Sequence, residues 1–218
     1  MSDCLNESLI DFLLEDWGIS EAEIYDRLDL PGRSPICDFG AGVQGIVYMT
    51  EDGSFVKVTD DAVEVAFAAQ LRQTNLPQFP AIHDVFSVQI GAKQLYAIYR
   101  ESVDDFLDFD ENPVIEKLFI EAMLEVRENS ECHQARDRFK TIVPHYSAEI
   151  EGLLASLEKL ENETGIRISD LHSGNIGRTD DGRVVVRDFG HNNMPQDEVV
   201  EVLQNLGELP EPKAYVAA

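Results

Sequence analysis

Basic residues are scarce in this sequence. Of its 218 residues, 17 are Lys or Arg and 42 are Asp or Glu, which gives a formal net charge of −25. Direct binding to a nucleic-acid backbone draws on many Lys and Arg contacts to phosphate, so we expect none here. Two interpretations of the acidity stay open: it serves solubility, or it serves a basic partner or the mimicry of nucleic acid.

Cysteines and long apolar runs are also lacking. Cys4, Cys37 and Cys132 lie far apart and form no CxxC pair, which argues against a disulfide framework or a structural zinc site. No run of about 18 apolar residues predicts a membrane span. Residues 1–15 are acidic and lack the positive start of a signal peptide, so we expect a cytoplasmic protein. Apolar residues still make up 44% of the chain, enough for a folded core.

Residues 1–34 are expected to form an acidic helical extension. Two short helices are predicted there, at 3–16 and 20–28, and Gly18 stands between them as a stop signal. The apolar face of the first helix is expected to consist of Leu9, Phe12 and Leu13.

Residues 35–101 are expected to form a small antiparallel sheet with one helix on it. β-forming residues recur in short runs, and Asp52-Gly53 between two of them is a two-residue hairpin signal. Asp60 and Asp61 are placed to cap the helix. The predicted elements are strands within 36–58, a helix at 60–73, and strands at 82–88 and 94–99.

Residues 102–218 have mainly helical periodicity. The predicted elements are helices at 114–128, 145–162 and 196–206, with short strands at 175–177 and 184–187. The second of these helices carries an apolar stripe that we interpret as core, formed by Ile150, Leu153, Leu157 and Leu160.

A glycine-rich segment suggests phosphate binding. Gly40, Gly42, Gly45 and Val47 fit the pattern G-x-G-x-x-G-x-V. Glycines let a turn pass close over phosphates and offer backbone N–H groups to them. A dinucleotide-binding fingerprint would place such glycines between a strand and a helix. Here a strand pattern follows them, which favours the hairpin found in kinases.

Lys57 stands on an otherwise apolar predicted strand. A buried ammonium group is costly without a partner, so the strand needs an acidic residue nearby. Glu64, in the first turn of the following helix, is one candidate, and Glu51 and Asp61 are its rivals. The alternative is that Lys57 lies exposed at the edge of the sheet.

Two further motifs lie in the second half of the chain. Residues 170–175, with Asp170 first and Asn175 last, fit D-x-x-x-x-N, and Asp188-Phe189-Gly190 follows them. In phosphoryl transfer, a residue pattern of this kind supplies one carboxylate that accepts the proton of the acceptor hydroxyl. A second carboxylate and an amide oxygen hold magnesium, which prefers oxygen ligands.

On these motifs the chain resembles the protein-kinase-like superfamily over residues 36–192. The run DLHSGN is similar to the loop of aminoglycoside phosphotransferases, choline kinases and lipopolysaccharide kinases. The resemblance implies an α+β, bilobal fold. Residues 35–101 would be an N-lobe with a small antiparallel sheet and one helix, and residues 102–218 a truncated, mainly helical C-lobe.

The resemblance also implies roles for the motif residues. Lys57 would contact the α- and β-phosphates of ATP, with Glu64 as its partner, beneath the glycine segment. Asp170 would be the catalytic base. Asn175 and Asp188 would hold magnesium.

The implied function is an ATP- and magnesium-dependent phosphotransferase. Arg100, Glu101 and Ser102 would form the hinge whose backbone meets adenine. The acceptor of the γ-phosphate would be a hydroxyl group, on a protein Ser or Thr or on a small molecule; which of the two stays open.

The sequence departs from the family at several places. Ile168 stands where the family has a His that braces the loop, and Ser169 replaces Arg or Gly. No alanine-proline-glutamate motif follows Asp188, and residues 191–204 contain no Ser, Thr or Tyr for activation by phosphorylation. Two roles stay open for His172, contact with the acceptor or bracing of the loop, and bracing is favoured. For His191 the alternatives are contact with magnesium or phosphate and an ordinary place in the loop, and the second is favoured.

These departures keep two other functions open. One is a nucleotide-binding pseudokinase that acts by docking, with the helices of residues 3–29 as its docking surface. The other is an acidic interaction protein that has kept a vestigial kinase fold.

Overall fold

Two antiparallel sheets organise the part of the chain that the computed structural model describes, residues 2–42, 44–74, 76–105, 144–168, 171 and 173–210. The chain divides into two compact units. The first unit consists of Met1–Thr74, Ala81–Ser102 and Gln196–Ala218, and the second of Asn75–Pro80 and Val103–Pro195. The expected α+β class with a small antiparallel sheet is confirmed.

The sheet of the first unit has five strands in the order β1-β2-β3-β5-β4, and each neighbouring pair is antiparallel. The strands are β1 (Pro35–Gly42), β2 (Gly45–Thr50), β3 (Phe55–Thr59), β4 (Ile82–Ile90) and β5 (Lys93–Arg100). They fall within a few residues of the predicted strands. The turn between β2 and β3 is longer than the predicted two-residue hairpin. It spans residues 51–54, because the side chain of Asp52 accepts hydrogen bonds from Thr50 Oγ1 and from the amide and hydroxyl of Ser54.

Two N-terminal helices, α1 (Ser2–Trp17) and α2 (Glu21–Leu28), cover one face of this sheet. Ile10, Leu13 and Trp17 of α1 are buried in one core with alternate residues of β2, β3 and β5. The predicted face of α1 is therefore wrong in part. Leu13 is buried as expected, but Leu9 lies at the surface and Phe12 is 62% exposed. The buried face is rotated because it includes the large side chain of Trp17.

The opposite face of the sheet carries α3 (Ala62–Thr74), which also packs against α5 (Gln196–Gln204). The helix α3 begins two residues later than the predicted helix 60–73. Asp61 caps it, since its Oδ1 accepts hydrogen bonds from the amides of Val63 and Glu64. Asp60 does not cap the helix in this structure. Its carboxylate forms an ion pair with Lys93, at 3.1 Å.

The segment after α5 runs along β4, the strand at one end of the sheet. The amide of Ser87 donates to the carbonyl of Gly207, and the amide of Leu209 donates to the carbonyl of Ser87. Leu209 is buried in the core beneath α1 and α2. Arg27 of α2 donates to the carbonyls of Leu209 and Pro210. The segment therefore joins α2 and the sheet into one packed unit.

The second unit contains a three-stranded antiparallel sheet of β6 (Val103–Asp105), β7 (Ile176–Thr179) and β8 (Val184–Val186), in that order. The helix α4 (Pro144–Thr164) ends at Gly165, which has a φ of +77°. Its predicted stripe is confirmed for Leu153, Leu157 and Leu160, which are buried. Ile150 lies outside the side chains that the structure describes, and so does the whole predicted helix 114–128.

The two units do not follow the boundaries of the predicted regions 1–34, 35–101 and 102–218. These three regions stay a prediction. Residues 1–34 share their core with the sheet, and α5 packs in the first unit rather than among residues 103–195. Within the described residues, no helix is long and apolar enough to cross a membrane.

Candidate active site

The glycine segment forms the β1–β2 hairpin of the first unit. Gly40 is paired with Val47, and Gly42 with Gly45, across the two strands. Gly45 lies directly over β3: a Cβ atom there would stand 2.6 Å from the carbonyl oxygen of Val58 and 3.0 Å from Lys57 Cε. Glycine at position 45 therefore brings the hairpin backbone close to the lysine side chain, a placement that suits phosphate binding.

Thr59 fastens this hairpin to the start of α3. Its buried hydroxyl donates to the carbonyl of Gln44 in the hairpin turn and accepts from the amide of Asp61, at 3.0 Å. One side chain thus links the glycine hairpin to the helix that carries Glu64. Sequence reasoning missed this role, because a hydroxyl that joins two segments leaves no spacing pattern.

Lys57 and Glu64 form a buried ion pair. Lys57 Nζ lies 2.7 Å from Glu64 Oε1, and the two side chains are 6% and 0% exposed. Val47 is directly opposite Lys57 on β2, so the two side chains share a face of the sheet. The alternative of an exposed lysine at the sheet edge is wrong, since β3 lies in the middle of the sheet.

The other two candidate partners of Lys57, Asp61 and Glu51, lie elsewhere and make different contacts. Asp61 caps α3, as described above. Glu51 is exposed in the β2–β3 turn, and its amide donates to the carbonyl of Ser34. Among the three candidate carboxylates, the fold therefore brings Glu64 to the lysine.

An aromatic pair lies on the same face of the sheet as Lys57. Residues two apart on a strand point the same way, so Phe55 shares the face of Lys57 on β3. The ring of Phe39 packs against Phe55 at a tilt of 37°, with centroids 4.4 Å apart, and Phe39 is 46% exposed. Phe55 is also opposite Arg100 at the start of the predicted hinge. A partly exposed aromatic ring beside the predicted hinge suits the stacking of a purine base. Sequence reasoning missed Phe39, although it immediately precedes Gly40.

The predicted hinge is tied to the residue before β4. The amide of Glu101 donates to the carbonyl of Ala81 at 2.9 Å, and the amide of Ala81 donates to Glu101 Oε2 at 3.0 Å. A contact from the Glu101 amide to a nucleobase would have to replace the first of these bonds. Arg100 is buried and Ser102 is half-buried.

Asn175 and Asp188 both belong to the second unit. Asn175 ends a short 3₁₀ helix, Ser173–Asn175, and is 8% exposed. The carbonyl of Asn175 accepts a hydrogen bond from the amide of Arg187, at 2.9 Å. This bond places the backbone of Asn175 beside the residue that precedes Asp188. An amide oxygen and a carboxylate form a donor set that magnesium accepts.

The turn after Asp188 is closed locally. Asp188 Oδ1 accepts a hydrogen bond from the amide of Gly190, at 3.2 Å. Phe189 is fully buried and meets Phe79 edge to face, with ring centroids 5.8 Å apart. The buried ring fixes the backbone on which Asp188 stands. His191 is exposed, as expected for a loop residue.

Asp170 and His172 lie outside the described residues, and so does Ser169. The chain before them is described: Ile168 is buried and forms an isolated antiparallel bridge with Asn192. Among the described residues, no group of three or more His, Cys, Asp or Glu side chains is arranged to hold a metal ion.

Solved structures include 313 chains that are similar to this one. No family model matches the chain, and no curated protein matches it. The structure is similar to that of the Cydia pomonella granulovirus kinase PK-1, with 13% sequence identity and a TM-score of 0.44. The likeness covers 76% of this chain and 56% of that one, so the chain spans little more than half the length of that kinase.

Proposed function

We propose that this chain is a compact, bilobal, protein-kinase-like phosphotransferase that uses ATP and magnesium. The observation that carries the proposal is the buried pair of Lys57 and Glu64 below a glycine hairpin. Burial of an ion pair costs desolvation energy that its attraction does not reliably return. A pair of this kind on a central strand therefore indicates a function for the lysine rather than a contribution to stability.

In the first unit, Glu64 holds the ammonium group of Lys57 at one place beneath the hairpin. The backbone of the hairpin, at Gly40, Gly42 and Gly45, offers N–H groups to phosphate oxygens. Lys57 supplies the positive charge. The partly exposed ring of Phe39 provides a surface for the adenine base, next to the predicted hinge.

In the second unit, Asn175 and Asp188 are the proposed magnesium ligands, and Asp170 is the proposed base. Magnesium, when bound, neutralises phosphate charge and orients the γ-phosphate for transfer. Asp170 accepts the proton of the acceptor hydroxyl. The acceptor is a hydroxyl on a protein or on a small molecule, as in the aminoglycoside, choline and lipopolysaccharide kinases whose loop this sequence resembles.

A nucleotide-binding pseudokinase is the second candidate. It is favoured by Ile168, a buried apolar residue at the position where the family has an imidazole. This candidate shares nucleotide binding with the first and lacks turnover.

Nucleotide binding is tested by calorimetric titration of the purified chain with ATP, with and without magnesium. Asp188→Asn is the test variant, because it removes a proposed magnesium ligand with little change of volume. Asp104→Asn is the matched control, since Asp104 is an exposed acid of β6 in the same unit. We expect magnesium-dependent binding that Asp188→Asn loses and Asp104→Asn keeps. Binding that is absent from the folded wild-type chain would refute both candidates.

Turnover is tested with γ-labelled ATP against hydroxyl acceptors and against water. Asp170→Ala should abolish transfer while ATP affinity is kept, because a base acts on the acceptor rather than on the nucleotide. Undiminished transfer by this variant would show that the assigned base is wrong. Magnesium-dependent binding without any turnover would select the pseudokinase.

A further inference from the structure

The segment just after Asp188-Phe189-Gly190 grips the chain that leads into the Asp170 loop. Asn193 Oδ1 accepts a hydrogen bond from the amide of Arg167, at 2.6 Å. Asn193 Nδ2 donates to the carbonyl of Gly165, at 3.1 Å. One side-chain amide thus bonds to one amide and one carbonyl of residues 165–167, just after the end of α4.

Asn193 is itself held in place by its neighbour. Asn192 Nδ2 donates to the carbonyl of Phe189 at 2.8 Å, and Asn192 Oδ1 accepts from the amide of Met194 at 2.9 Å. The backbone of Asn192 also bridges Ile168. These bonds close a turn around position 193 that is anchored by the buried ring of Phe189. The side chain of Asn193 therefore starts from a fixed backbone.

The other end of the loop is held by Arg187, which lies on the other side of Asp188. Arg187 Nε donates to the carbonyl of Gly174 at 2.7 Å, and the amide of Arg187 donates to the carbonyl of Asn175 at 2.9 Å. Residues on both sides of Asp188 thus hold both ends of the loop that contains Asp170. The proposed base follows Ile168 by two residues in sequence, directly after the braced backbone of residues 165–168.

From this arrangement we propose that Asn193 is a positioning residue, which braces the loop that carries Asp170. It takes over the bracing that the resembled family assigns to an imidazole at the position of Ile168. The inference deepens the proposed function and rests on it for the role of Asp170. The bracing contact is a separate physical statement about Asn193, Gly165 and Arg167.

The test uses three variants of the full chain. Asn193→Ala removes both hydrogen bonds, and Asn193→Asp keeps an acceptor for the Arg167 amide but loses the donor to Gly165. Asn205→Ala is the matched control, because Asn205 likewise donates from its side chain to a backbone carbonyl, that of Glu201, at 2.8 Å. Asn205 lies at the end of α5 in the first unit, so its loss leaves the brace intact.

Two readouts are measured. The first is amide hydrogen exchange at residues 166–168, which should speed up about tenfold in Asn193→Ala because two ordinary hydrogen bonds are lost. The second is steady-state turnover of magnesium-ATP. Its kcat should fall about tenfold or more, while the ATP affinity measured by calorimetry changes less than about twofold. Asn193→Asp should lie between wild type and Asn193→Ala in both measurements, and Asn205→Ala should match wild type.

The outcomes separate the brace from the proposed function. Exchange that is unchanged in Asn193→Ala overturns the brace, whatever the chain catalyses. Faster exchange with undiminished kcat overturns the positioning role of Asn193. A wild-type chain without turnover refutes the phosphotransferase; the exchange measurement then decides alone whether Asn193 holds this loop. A fall in ATP affinity equal to the fall in kcat also overturns the proposal, because it indicates general damage to the fold.

Discussion

Separate removal of Lys57 and Glu64 is expected to damage the first unit far more than their joint removal. Each side chain is almost fully buried, and the charged atoms lie 2.7 Å apart. Replacing one of them removes a partner at 2.7 Å from the other buried charge, which costs about 3–5 kcal/mol of stability. Replacing both with apolar residues of similar volume removes two desolvation costs together with one attraction, and the net change should be near zero or favourable.

The experiment is a double-mutant cycle with Lys57→Met, Glu64→Leu and the combination. The free energy of unfolding is measured in urea and followed by the fluorescence of Trp17, the single tryptophan, which is buried in the core of the same unit. We expect each single variant to lose about 3–5 kcal/mol. The double variant should lose less than either of them, so the coupling energy should exceed about 3 kcal/mol.

The control is the exposed ion pair of Asp60 and Lys93, whose side chains are 40% and 33% exposed and whose charged atoms lie 3.1 Å apart. Asp60→Asn should cost less than about 1 kcal/mol, because water screens this pair. The reasoning is refuted if Glu64→Leu costs no more than Asp60→Asn, or if the losses of the single variants simply add. The double variant should fold and yet fail to bind ATP, which separates the function of the pair from stability.

Three further changes test the first unit by the same urea assay. Asp52→Asn should destabilise the protein by about 1 kcal/mol at pH 7. Burial alone would raise the pKa of Asp52. The hydrogen bonds from the β2–β3 turn and the charge of Arg33 outweigh burial and lower this pKa to about 2. The stability from this lowered pKa is present above about pH 4, near the pKa of Asp52 in the unfolded chain, and is lost as the pH falls toward 2. The difference in unfolding free energy between Asp52→Asn and wild type must therefore shrink toward pH 2. A difference that stays constant with pH contradicts this prediction. Gly45→Ala should cost about 2 kcal/mol of stability, because the added Cβ overlaps with β3. The control, Gly207→Ala, has open space around its Cβ, and its stability should stay within about 0.5 kcal/mol of wild type. Equal losses in the two variants would refute the steric argument. Leu209→Ala should cost about 2–4 kcal/mol, because the side chain is 2% exposed in the core, and a loss below about 1 kcal/mol would mean that the C-terminal segment does not belong to that core.

Much of the first unit could be predicted because its signals are local. Short runs of β-forming residues located β4 and β5, and the helix after Lys57 could be placed from the capping signal of Asp60 and Asp61. The pairing of Lys57 with Glu64 could be proposed because a buried lysine needs an acid, but sequence alone left Glu51 and Asp61 as rivals. The structure selects Glu64 because α3 begins at Ala62 and Asp61 serves as its cap.

The contacts that were missed join segments distant in sequence. The face of α1 was misjudged because two overlapping sets fit helical spacing and share Leu13, and only packing against the sheet decides for the set that includes Trp17. Thr59 and Asn193 carry no motif, since a hydroxyl or amide that bonds to backbone groups is defined by the position of the partner segment. Such contacts arise only once the turns themselves are folded.

With a net charge of −25, the chain as a whole repels a polyanion, so binding of a polyanion depends on a few local groups that attract it. At the candidate site the charge of Lys57 is offset by Glu64, so the pair together is close to neutral. For the proposed ATP site, the attraction for three phosphates would then come mainly from backbone N–H dipoles of the glycine hairpin and from the proposed metal ion. The metal has to be held by other ligands, which Asn175 and Asp188 are proposed to supply. Under this proposal a lysine held by a fully buried carboxylate on a capped helix contributes geometry more than net attraction to the phosphates.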